Sequence, residues 1–95
     1  MERRNYSLTL TVNGRLILEV IIDPHYEEKH SDIDDALILE LVKKLDGREF
    51  QPDEIDGGWE FFMVDHLDHE NKQYRLVWCM KEHAIFIGVI NAFRR

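Results

Sequence analysis

The feature that most constrains this fold is the run from Gln73 to Arg95, QYRLVWCMKEHAIFIGVINAFRR. Its first part alternates Tyr74, Leu76, Trp78 and Met80 with Gln73, Arg75, Val77 and Cys79, the period-2 pattern of a strand. Met80-Lys81-Glu82-His83 interrupts that pattern. Ala84 to Phe93 is then almost wholly apolar, as a strand covered on both faces would be. The β-branched Ile85, Ile87, Val89 and Ile90, with Gly88 mid-run, argue against a helix. Two strands joined by a short turn pair antiparallel, so the start of one lies beside the end of the other. Arg75 is therefore expected beside Arg94 and Arg95. Three clustered cations would mark a reserved anion site in a chain whose formal net charge is -7.

The preceding residues supply the rest of a sheet and one helix. Tyr6, Leu8, Leu10 and Val12 alternate with Ser7, Thr9 and Thr11. Asn13-Gly14 then offers the positive φ angles of a type I′ turn. Arg15 to Asp23 is the return strand, with Leu16, Leu18, Val20 and Ile22 expected inward and Ile17, Glu19 and Ile21 outward. Pro24 ends it, and His25 to His30 is a polar connector whose Tyr26 packs on the helix. Ser31 is the expected cap of a helix over Asp32 to Leu45, with Asp34 completing an approximate capping box. Ile33, Leu37, Ile38, Leu41, Val42 and Leu45 recur at helical spacing, and Gly47 suits the position after the C-terminus. Arg48 to Gly58 reads as a loop pinned by Phe50 and Ile55, with Asp53 to Asp56 a solvated acidic stretch. Trp59 to His66 is a further strand, and Leu67 to Lys72 turns the chain into the final hairpin. The expected fold is a single α+β domain over residues 1–95, in the order β-β-α-β-β-β, with one helix across an antiparallel sheet.

Composition narrows the function classes. Ninety-five residues, 44% hydrophobic and 33% charged, describe one folded domain rather than a disordered chain. An acidic chain of pI about 5.1 does not favour non-specific contact with nucleic acid or anionic lipid. One cysteine, Cys79, excludes an internal disulfide and suits a reducing cytoplasm; it reads as a small buried hydrophobe. The apolar run Ala84 to Ile90 is too short to span a bilayer, and the opening MERRNYSLTL lacks the apolar core of a signal peptide. A cytoplasmic protein with no membrane partner is expected.

The hairpin also carries a resemblance. YRLVW, a short gap, then IFIGVINAFRR resembles the end of the RelE/ParE-type toxins, small bacterial proteins of a barnase-like α+β class. The resemblance implies an endoribonuclease that cleaves mRNA without a metal or other cofactor, an antitoxin as protein partner, and mRNA or the ribosome as target. It implies that Arg75, with Arg94 or Arg95, holds the scissile phosphate. Where RelE-like enzymes carry lysines before the hairpin, His66, His69 or Lys72 would substitute.

Such chemistry needs a base for the 2′-hydroxyl, an acid for the leaving 5′-oxygen and cations for the phosphorane. Histidine titrates near neutrality, which makes His25, His30, His66 and His69 candidates for acid or base, along with Tyr26 or Tyr74. His66 and His30 are the histidines expected to be catalytic, in either role. Tyr74, His25, Lys72 and His69 would contact the RNA, and the planar forks of Arg75, Arg94 and Arg95 match phosphate. The plainer reading pairs Arg75 with Glu60 across the sheet and leaves the terminal arginines as solubilising ends. His66-Leu67-Asp68-His69 has metal-capable residues, but on a strand end and turn it reads as a solvated hairpin and not a metal site. The alternative function is a non-catalytic interaction module, a dimer or partner-binding domain using an exposed strand edge or the aromatics Trp59, Phe61 and Phe62.

Overall fold

The computed structural model describes residues 3–28 and 32–95. Its strands are β1 (Arg4–Val12), β2 (Arg15–Ile22), β3 (Glu54–Asp56), β4 (Trp59–His69), β5 (Lys72–Lys81) and β6 (Phe86–Arg94). One α-helix, α1 (Asp35–Lys43), and a 3-10 helix, Pro24–Glu28, lie between β2 and β3. The strands form one six-stranded sheet in the order β1-β2-β6-β5-β4-β3. The α+β class and single α-helix agree with the sequence reading, but the sheet is mixed: β2 and β6 pair in parallel, from Glu19↔Phe86 to Ile22↔Val89. The β1–β2 hairpin and the β4–β5–β6 meander are each antiparallel, and this parallel seam joins them.

The first hairpin forms as its turn dipeptide requires. Val12 pairs with Arg15, and Asn13 and Gly14 both take positive φ (54° and 71°). The Asn13 side chain does further work, accepting from the Phe50 amide at 2.6 Å and donating to its carbonyl at 3.1 Å. That clamp holds Phe50 edge-on against Trp78, with ring centroids 5.0 Å apart, while Phe62 stacks on the other side of the indole at 5.2 Å. Phe50 thus pins its loop as expected, whereas Ile55 is exposed.

One strand is phased differently from its reading. Leu16 and Leu18 are 54% and 41% exposed, whereas Ile17 is fully buried with Val20 and Ile22. The amides of Leu18 and Glu19 both donate to the Ile85 carbonyl, at 2.8 and 3.3 Å, so two residues of β2 oppose one position of its neighbour. This bulge swaps the face of every residue on its N-terminal side. The connection after β2 also differs. Ser31 lies outside the described residues, and the helix is capped by Asp34, whose carboxylate accepts from the Leu37 amide at 2.8 Å. The regular helix is correspondingly shorter than Asp32 to Leu45. Ile33, Ile38, Leu41, Val42 and Leu45 are buried against the sheet with Tyr26, Leu76, Trp78 and Ile87, and Leu37 packs at the margin.

The later strands are longer than expected. The acidic stretch read as loop contains β3, a three-residue edge strand exposed throughout. β4 continues through a bulge at Asp65–His66 as far as His69, and the turn is the two-residue Glu70-Asn71, both at positive φ (49° and 64°). At the other edge, β1 is free along most of its length. Only its end is covered among the described residues, where Thr11 donates to Asp46 and accepts from Gly47.

The side of the sheet away from α1 has no covering element among the described residues. β6 is apolar on both faces, yet its outward Phe86, Gly88 and Phe93 are only half-buried and Ile90 is exposed. The expectation of a strand covered on both faces is therefore met on one side only. Because Leu41 is fully buried between α1 and the sheet, Leu41→Ala should cost about 2–5 kcal/mol, measured by chemical denaturation.

Candidate functional site

Three places bring chemically capable side chains together. The first is the open end of the final hairpin. Tyr74 pairs with Arg94 and Arg75 with Phe93, so strand ends and arginines meet as the sequence implies. Arg75 and Arg95 are not left as free cations, however. Arg75 donates to Asp65 Oδ2 at 2.7 Å, and Arg95 Nε lies 3.0 Å from Asp65 Oδ1. Arg75 also stands over the Phe93 ring at 5.4 Å, and its Nε is a buried atom without a hydrogen-bond partner among the described residues. The hydrogen bond from Arg75 is the main cause holding the Asp65 carboxyl below its ordinary range. The expected Arg75–Glu60 pair does not form: Glu60 faces the helix side opposite Met80 and is held by Arg15, whereas Arg75 faces the β4 bulge.

His66 belongs to this cluster. The bulge gives it a φ of 58°, and its exposed ring places Nδ1 3.0 Å from Gln73 Oε1 and Nε2 4.0 Å from Asp65 Oδ2. Arg75, Arg95 and His66 thus converge on Asp65, a residue the sequence reading gave no role of its own. Arg94 is exposed beyond Tyr74, and Lys72 is exposed at the turn. Tyr74 does not join them. Neighbours along a strand point to opposite faces, so Tyr74 is buried on the helix side, where it lines a cleft with His69, Glu40 and Asp32. His25 falls in the 3-10 helix that follows β2, and His30 lies outside the described residues. The proposed acid–base and RNA-contacting residues are therefore split between two faces. Among the described residues no group of three or more His, Cys, Asp or Glu side chains is placed to hold a metal ion.

The second place has no counterpart in the sequence reading. Asp35, at the start of α1, accepts from Tyr26 Oη at 2.6 Å, from Tyr6 Oη, and from Arg4 Nε and Nη2, the latter at 2.9 Å. Arg4 also reaches Glu27. This network ties β1, the 3-10 helix and the helix N-terminus together. Burial alone would push the Asp35 carboxyl up, but hydrogen bonds from Arg4, Tyr26 and Tyr6 and the Arg4 charge hold it at about 2. Burial, then the bond to Asp35, pushes the Tyr26 hydroxyl well up, so it stays a donor. Neither tyrosine is poised to give up a proton; the group is a fastening and not an acid–base site.

The third place is the uncovered sheet face. Trp59, Phe61 and Met63 of β4, Val77 and Cys79 of β5, Phe86 and Ile90 of β6, and Ile21 of β2 share it. Trp59 and Phe86 meet edge-to-face at 6.0 Å, with Lys81 over the Trp59 ring at 5.2 Å. A shallow groove of about 250 Å³ runs over Gly88 between Ile21, Trp59, Phe86 and Ile90. Gly88 keeps that floor flat, since a Cβ there would lie 2.9 Å from Cys79 Sγ. Burial pushes the Cys79 thiol up, which suits the small hydrophobe expected. Of the aromatics expected at an interaction surface, Trp59 and Phe61 are on this face, but Phe62 is buried in the core.

No protein-family model, no curated protein and no solved structure matches this chain. No helix among the described residues is long and apolar enough to cross a membrane.

The Asp35 network gives a signed pH dependence. A carboxyl whose folded pKa lies below its unfolded value stabilises the fold above the unfolded value, about 3.9, and loses that contribution as pH falls toward 2. Asp35→Asn should lower stability at neutral pH by up to about 2–3 kcal/mol and flatten the acid limb of a pH–stability curve between about pH 4 and 2.

Proposed function

We propose that this protein is a non-catalytic interaction domain that works through the uncovered face of its sheet. The observation that carries this reading is the contiguous apolar surface of Trp59, Phe61, Met63, Phe86 and Ile90, with Met63 45% and Ile90 38% exposed. Scattered apolar residues are ordinary at a protein surface, but a continuous patch rimmed by polar groups marks an interaction site. The patch is well supported, because β5 and β6 beneath it are paired on both sides and the far side is packed on α1. The polar clusters serve structure in this reading: Asp65 neutralises Arg75 and Arg95, and Asp35 fastens the helix.

A second reading is favoured by the convergence of Arg75 and Arg95 beside His66. It is a RelE-like endoribonuclease acting on mRNA without a metal, in which a bound phosphate displaces Asp65 from the guanidinium groups. Asp65 already satisfies those groups and Tyr74 points elsewhere, so the interaction reading needs fewer rearrangements.

Two measurements separate them. A photo-crosslinking residue at position 63 should give a discrete protein adduct in cells, while induced expression leaves growth and mRNA intact. Cleavage of mRNA that falls about 10²–10³-fold in Arg75→Ala, with no adduct at position 63, would establish the nuclease instead.

A further inference from the structure

We propose that the uncovered face is occupied by a second copy of this chain, the two sheets stacking face to face with their helices outermost. This inference rests on the interaction reading above and names its partner.

Shape is the first argument. A two-fold interface uses the same patch on both subunits, so that patch must hold both projections and recesses. Here Met63 and Ile90 project, and the groove over Gly88 recedes between Trp59 and Phe86. A two-fold axis through the patch lets the projections of each copy enter the groove of the other. Aligned sheets stack with their apolar side chains interleaved, about 10 Å apart. Gly88 leaves room for the Cys79 thiol to lie low over the strand, which keeps the floor of the groove shallow enough for an opposing side chain.

Area and charge agree. Five long strands about 4.8 Å apart and roughly eight residues long present about 600 Å² per copy, or about 1,200 Å² for two. That reaches the lower bound of a specific protein interface. Exposed carboxylates crowd the helix side and its flanking turns, at Glu27, Asp32, Asp34, Glu40 and Asp46. Face-to-face stacking puts those two acidic layers at opposite ends of the dimer, which minimises repulsion between two chains of charge -7. The rim of the open face carries both signs, with Arg3 and Asp23 lining the groove, Lys81 over Trp59, Glu54 and Asp56 beside Phe61 and Trp59, and Asp65 held by Arg75 and Arg95.

Sedimentation equilibrium of the full chain across a wide concentration range tests the proposal. The expected mass is twice 11.4 kDa at the upper concentrations. Met63→Asp and Ile90→Asp each set two unpaired charges in the interface and should raise the dimer dissociation constant by about 100-fold or more. Ile55→Asp, on the other side of the sheet edge, should leave it unchanged. Thermal melting confirms that each variant is folded. A protein monomeric at every concentration, or a dimer indifferent to both Met63→Asp and Ile90→Asp, overturns the proposal. A monomer that crosslinks at position 63 to a different protein leaves the interaction reading standing and removes only the second copy. A monomer with no adduct removes both.

Discussion

The parallel seam between β2 and β6 is the constraint on which the rest depends. Each antiparallel unit turns an apolar face toward α1, and neither can bury that face alone. The four register pairs from Glu19↔Phe86 to Ile22↔Val89 turn two small ribbons into one sheet wide enough to carry α1. Ile17, Val20 and Ile22 from one side and Ile87 and Val89 from the other then share a single core. The bulge at Leu18–Glu19 belongs to this seam, since both amides bond the Ile85 carbonyl that leads into β6. By re-aiming β2, it buries Ile17 and leaves Leu16 and Leu18 in solvent.

What was legible in the sequence was what is encoded locally. Asn13-Gly14 specified its hairpin because few other dipeptides tolerate two positive φ angles. The helix was visible in the spacing of Ile38, Leu41, Val42 and Leu45, although its cap shifted to Asp34 because acidic residues crowd its start. The antiparallel closing hairpin was equally plain. The seam was not, because pairing between strands that are distant in the chain leaves no periodic trace. The phase of β2 was misread because its register shifts at Leu18, both against β1 and against the Ile85 carbonyl, and alternation alone does not mark such a shift.

The candidate sites divide in the same way. Strand pairing correctly drew Arg75 toward Arg95, but the residue that receives them lies in a bulge within a segment read as strand end and turn. Had β4 been extended past His66, the carboxylate opposite Arg75 would have been the natural partner. Asp35, at the helix start, drew no functional expectation from the sequence. Its partners Arg4, Tyr6 and Tyr26 arrive from three separate elements, and nothing in their spacing announces it. The open face was present in the sequence as apolar residues on both sides of β6. The inference that both sides are covered was an economical reading of that pattern, and the structure covers one.

The two margins of the sheet have unequal consequences for the protein in concentrated solution. β3 is three residues long and carries Glu54 and Asp56, so it offers an arriving strand little length and repels it. β1 runs for nine residues, its exposed Asn5, Ser7, Thr9 and Thr11 are neutral, and among the described residues only its end is shielded, by the turn at Asp46 and Gly47. At neutral pH the charge of -7 keeps such edges apart. Near the isoelectric point of about 5.1 that colloidal barrier vanishes, while the Asp35 carboxyl, held at about 2, still keeps its charge and its bonds. Precipitation under mild acid would therefore proceed from native molecules adding edge to edge along β1, with no unfolding step before it.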